Sequence, residues 1–103
     1  MQVVPRRVLV VDDDDLFRGL LSDALRRRGY RVASCEGGQA ALRIANAEGF
    51  DVVCLDVDLG TPENGFDVAE QIVQIRPDAP IIFLTAIADP DYLRPATLAR
   101  LRG

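Results

Sequence analysis

An α/β fold with a parallel sheet is predicted by three observations. Short β-branched apolar runs alternate with amphipathic helical segments along the whole chain. The strongest runs, Val8–Val11, Phe50–Leu55 and Pro80–Ala86, are mostly apolar, as in strands covered on both faces. No two strands are joined by a hairpin-length turn, so each connection is a crossover carrying a helix, right-handed by the general rule.

Val8–Val11 is the first strand, and Asp12 to Asp15 follow at once. Leu16, Phe17, Leu20, Leu21, Ala24 and Leu25 then recur at helical spacing, with Arg18, Asp23, Arg26 and Arg27 on the other side. Asp15 is the expected N-cap and Gly29 the expected stop. Tyr30–Cys35 is a more polar second strand, suited to a sheet edge. Gly37-Gly38 breaks it, and "QAALRIANAEG" is a short helix closed by Gly49. Phe50–Leu55 is the third strand. A loop with Gly60, Thr61-Pro62 and Asn64-Gly65 leads to a helix in which Val68, Ile72 and Ile75 share a face. "PIIFLTA" is the fourth strand, and Asp89-Pro90 opens a last helix towards Leu101.

Composition narrows the function. The 103 residues, 49% hydrophobic, fit one domain. No run approaches the roughly 20 apolar residues needed to span a bilayer, and the start has no cleavage-site pattern. Cys35 and Cys54 lack metal-type or C-x-x-C spacing and suit reduced thiols in the cytoplasm. A net charge of −4 disfavours direct nucleic-acid binding. There is no histidine, which removes His-based nucleophile activation and His ligation, and all 12 basic residues are arginine.

The chemistry lies at the strand ends. The first strand ends in Asp12-Asp13, the third in Asp56 and the fourth in Thr85-Ala86. In a parallel sheet these ends share one rim, where ligands bind. Converging carboxylates repel each other, by about 4 kcal/mol for a pair ~4 Å apart at an effective dielectric of 20. A hard divalent cation relieves that repulsion, and an oxygen-only donor set points to Mg²⁺ or Mn²⁺. The plainer reading is that Asp12–Asp15 is a solvated helix start favoured by the helix dipole. That reading leaves Asp56 unexplained.

The motifs "VLVVDDD" at Val8–Asp14, "VVCLDVDL" at Val52–Leu59, "P…NG" at Pro62–Gly65 and "IIFLTA" at Ile81–Ala86 resemble the receiver domain of bacterial two-component response regulators. Four weak matches in the right order and spacing make a strong one. The resemblance implies a flavodoxin-like sheet of order 2-1-3-4, with the family's fifth strand and fifth helix missing from 1–103. It implies that Asp56 accepts a phosphoryl group from a sensor histidine kinase or phosphotransfer protein. It implies that Asp13 binds the metal directly, that Asp12 orients it through water, and that the Asp58 backbone carbonyl completes the set. Thr85 would contact the phosphoryl oxygen, and Ala86 would keep access open to phosphodonors. A downstream partner protein would read the output.

The family's phosphate-contacting lysine and its aromatic switch residue have no counterpart here, and Arg94, Arg100 or Arg102 would be imperfect substitutes for the ammonium. An uncovered fourth strand and sheet face imply a homodimer or exchange of elements. A degenerate receiver acting as a phosphorylation-independent interaction module is the alternative. A remote third reading, an aspartyl-phosphate phosphatase of the haloacid dehalogenase type, rests on Asp56-Val57-Asp58 with Thr61, but the threonine lies one position too far along.

Overall fold

The computed structural model describes residues 6–59 and 64–84. Four strands, β1 (Arg7–Val11), β2 (Arg31–Cys35), β3 (Val52–Leu55) and β4 (Ile81–Phe83), alternate with three helices, α1 (Asp15–Arg27), α2 (Gly38–Ala47) and α3 (Gly65–Ile75). All three strand pairings are parallel and the order is β2-β1-β3-β4, as expected. The polar β2 lies at an edge and the apolar β1 at the centre, flanked on both sides. The last helix expected after Asp89 lies outside the described residues.

Strand alternation sorts the core into two layers. Leu9, Val11, Val53 and Leu55 point to one face and pack with Ala41 of α2 and Val68, Ala69 and Ile72 of α3. Val8, Val10 and Cys54 point to the other, where Leu21 and Leu25 of α1 meet them. Because the register pairs Val10 with Cys54 and Val11 with Leu55, β1 and β3 end level with each other. Asp12 and Asp56 therefore leave the sheet side by side.

Two helix starts differ from expectation. Asp14, not Asp15, is the N-cap of α1: it has extended backbone, and its carboxylate accepts from the Phe17 N–H at 3.1 Å. Asp15 is already helical. For α3 the loop residue Asn64 is the cap, in a reciprocal capping box with Asp67. Gly29 ends α1 at φ 94°, a conformation that suits glycine.

The apolar stripe of α1 is only half used. Leu21 and Leu25 pack on the sheet, while Leu16 is 73% exposed, Leu20 60% and Phe17 43%. A stripe at helical spacing fixes a face, but a single sheet contacts only part of it. Ser22, in the sheet-facing part, is buried with no hydrogen-bond partner for its hydroxyl among the described residues.

Candidate functional site

Backbone ladders running past the strand ends hold the site. The Asp12 N–H donates to the Cys35 carbonyl at 3.1 Å, and the Asp56 N–H to the Val11 carbonyl at 2.8 Å. On the far side the Leu84 N–H donates to the Leu55 carbonyl at 2.8 Å. Each bond continues the parallel pairing one residue beyond the strand, so the carboxylates issue from rigid backbone. One oxygen each of Asp12, Asp13 and Asp56 then lie within 4.8 Å of one another. Asp12 is buried, Asp56 half-buried and Asp13 exposed.

Local hydrogen bonds separate the four consecutive aspartates by role. Asp12 accepts from the Asp14 N–H at 2.9 Å, Asp14 caps α1, and Asp15 pairs with Arg18 at 2.5 Å. Among the described residues the Asp13 carboxylate makes no such bond. The helix-start reading thus accounts for three of the four and leaves over Asp13, which has an oxygen grouped with those of Asp12 and Asp56. An oxygen-only set at this spacing fits a hard divalent cation such as Mg²⁺.

Electrostatics agree with crowding. The Asp56 carboxyl is pushed up to about 6, first by burial, then by the charge of Asp12, with Asp13 adding to it. A hydrogen bond to the Asp12 carboxylate, open only to protonated Asp56, acts in the same direction. The Asp58 N–H, 3.3 Å from an Asp56 oxygen, pulls the other way and favours the charged form.

Behind Asp56 the chain is tightly constrained. The Gly65 N–H donates to the Val57 carbonyl at 2.6 Å. A Cβ at Gly65 would collide with the Asp56 carbonyl and the Val57 backbone, so glycine is needed for close approach. Phe66 stacks obliquely on Phe83 at 4.9 Å between ring centroids, locking the first turn of α3 to β4. Sequence reasoning took Asn64-Gly65 for a turn and missed both functions. The N-x-x-D spacing of Asn64 and Asp67 was the available signal for the cap.

Thr85 and Ala86, and Thr61 of the third reading, lie outside the described residues. Cys54 is core, and both cysteines are free thiols. A cleft of about 560 Å³ lined by Arg7, Asp51, Arg76 and Asp78 lies at the opposite end of the strands from the carboxylates. It has no part in the acidic site.

The model of the response regulator receiver domain matches residues 8–102. The chain belongs to that family. Among curated proteins, the transcriptional regulatory protein PdtaR of Mycobacterium tuberculosis is 38% identical over 94 residues, covering 90% of this chain and 45% of PdtaR. The chain thus spans less than half the length of that relative. Among solved structures, a response regulator of Burkholderia pseudomallei with a phosphorylated aspartic acid and a calcium ion superposes with a TM-score of 0.79 at 33% identity. That match covers 94% of this chain and 54% of that one. TrrA of Thermotoga maritima, in complex with Mg²⁺–BeF, gives a TM-score of 0.76 at 37% identity, over 84% of this chain and 73% of that one. TrrA is also solved in complex with the histidine kinase ThkA, with a TM-score of 0.71 at 39% identity over 79% of this chain and 69% of that one. The chain is a receiver domain of two-component signalling, a signalling domain rather than a turnover enzyme.

Proposed function

We propose that Asp56 is the phosphoacceptor of this receiver domain and that Asp12, Asp13 and Asp56 hold a divalent cation, Mg²⁺ or Mn²⁺, with the Asp58 backbone carbonyl. The observation that carries the reading is the trio of carboxylate oxygens within 4.8 Å, with Asp13 left without a hydrogen bond among the described residues. The phosphorylated aspartate of the Burkholderia regulator and the Mg²⁺–BeF complex of TrrA support it.

The donor is a phosphohistidine of a sensor kinase or phosphotransfer protein, as the kinase complex of TrrA supports. An Asp56 oxygen forms a bond to phosphorus, the phosphorus–nitrogen bond breaks, and the imidazole leaves with that electron pair. Only ionised Asp56 attacks, so its upward shift disfavours the free domain as a nucleophile below about pH 6. A bound divalent cation supplies positive charge that favours the ionised carboxylate and neutralises the transferring group. The Asp58 N–H holds one Asp56 oxygen and orients the other. Thr85 then contacts the phosphoryl group and Ala86 leaves the donor room.

Partner docking has a local candidate in Leu16, Phe17 and Leu20, which expose apolar surface on the first turns of α1 beside the acids. The same surface supports the second reading, an interaction module that needs no phosphorylation. Homodimerisation or exchange of elements belongs to the proposal too, and light scattering with and without phosphodonor tests it. A cytoplasmic location follows from the kinase partner.

The deciding experiment is intact-mass spectrometry after incubation with acetyl phosphate, with and without Mg²⁺, beside Asp56→Asn. A Mg²⁺-dependent gain of one phosphoryl group, absent in Asp56→Asn, is expected. No gain in any condition refutes the phosphoacceptor role and leaves the interaction module.

A further inference from the structure

Arg18 is the only guanidinium among the described residues that hydrogen-bonds across the turn between β1 and α1. Its Nη1 donates to the Asp12 backbone carbonyl at 2.8 Å, and its Nη2 to the Asp15 carboxylate at 2.5 Å. The two acceptors lie on either side of Asp13 in the chain. The Asp12 carbonyl belongs to the planar peptide unit that joins Asp12 to Asp13, so fixing it fixes the angles on both sides of that unit. The Asp13 side chain makes no hydrogen bond of its own among the described residues. Its aim is therefore set by the backbone that Arg18 holds.

An ordinary surface pair at this helical spacing would leave both partners in water and contribute little. Here the two sides are unequal: the Arg18 side chain is 20% exposed, while that of Asp15 is 81% exposed. The guanidinium is packed against the turn, and the exposed carboxylate comes to it. Asp12 is consequently held at three points, by its N–H to Cys35, its carboxylate from the Asp14 N–H and its carbonyl from Arg18.

We propose that Arg18 is a positioning residue of the acidic site, a two-armed clamp that presets the Asp12–Asp13 peptide and so raises divalent-cation affinity. This rests on the reading of that site as a cation site. The sign of the effect separates the clamp from simple electrostatics. Removing a positive charge near three carboxylates would tighten cation binding; removing a clamp loosens it.

The test is calorimetric titration of the full chain with Mg²⁺, and with Mn²⁺ followed by electron paramagnetic resonance. Titrations run at a temperature where circular dichroism shows every variant folded. Arg18→Met should weaken binding about tenfold, the scale typical of groups that orient metal ligands. Arg18→Lys keeps the charge but reaches only one acceptor, so it should fall between wild type and Arg18→Met. Asp15→Asn weakens the outer arm alone and should lose about twofold, even if Arg18→Met fails to fold. Without metal, the Asp13 and Asp14 amide resonances should move in Arg18→Lys and Arg18→Met.

Unchanged or tighter binding in Arg18→Lys and Asp15→Asn overturns the proposal. If wild type binds cations no better than Asp13→Asn, the cation-site reading itself fails, and the effect on affinity falls with it. Amide shifts in that case would show that the clamp orders the turn for another purpose.

Discussion

Replacing Asp56 with asparagine is expected to stabilise the metal-free domain at neutral pH. The carboxyl sits at about 6 instead of 3.8, so the folded state holds its proton more tightly than the unfolded chain does. Between about pH 4 and pH 6 the folded state binds more protons, and this group's contribution to stability falls as pH rises. Above pH 6 the full cost of an ionised, crowded Asp56 is present. The gap of roughly 2 pH units at ~1.4 kcal/mol each sets a ceiling of about 3 kcal/mol. Asp56 is only half-buried, and solvent screening reduces the figure to about 1 kcal/mol.

Asparagine removes the charge, keeps an oxygen for the Asp58 N–H and nearly preserves shape. Urea unfolding of both proteins in chelator should show Asp56→Asn more stable by about 1 kcal/mol at pH 7.5, with the difference vanishing near pH 4. Mg²⁺ should close the gap at pH 7.5, because binding to the folded wild type stabilises it by mass action. A less stable Asp56→Asn at pH 7.5, or a gain that persists unchanged to pH 4, would refute the picture of a strained acidic cluster.

Gly65→Ala should cost about 3 kcal/mol, since its Cβ meets backbone that cannot rotate away, and the loss will appear as a lower urea midpoint. Ser22→Ala removes a buried hydroxyl that has no partner among the described residues and should gain up to about 1 kcal/mol in the same assay. Leu20→Gln, on the exposed part of α1, should stay within about 0.5 kcal/mol of wild type. A loss several times larger would show that a second element covers that face in solution.

The strands and helices were legible because burial of a parallel sheet writes itself in apolar runs, as in Val8–Val11 and Val52–Leu55. The convergence of Asp12, Asp13 and Asp56 followed from topology, since strands that run one way end together. What could not be read was the division of labour within four identical residues. Asp12, Asp13, Asp14 and Asp15 look alike in sequence, and only hydrogen-bond geometry shows which one is the cap. The exposure of Leu16 and Leu20 was hidden for a similar reason: helical spacing says that residues share a stripe, not how wide the contact surface is. Gly65 was read as a turn residue because close packing behind Asp56 leaves no trace beyond the glycine itself.

The site's economy of oxygens bears on how a phosphoryl group could be sensed. Asp12 and Asp14 have each committed an oxygen to a backbone N–H, and Asp56 has committed one to Asp58. These bonds fix directions but leave the negative charge uncompensated, and the charge of Asp12 adds to burial in pushing the Asp56 carboxyl up. A cation can relieve the repulsion, because one oxygen each of Asp12, Asp13 and Asp56 lie within 4.8 Å of one another. A phosphoryl group on Asp56, as proposed above, would add charge and acceptor oxygens where the loop after β3 begins. The loop is anchored at its return by Asn64 and Gly65, and β4 by the Leu84 bond to Leu55. The acids on β1 and β3 thus issue from fixed backbone, so a bond made to Asp56 changes the charge at a site whose oxygen directions are already set.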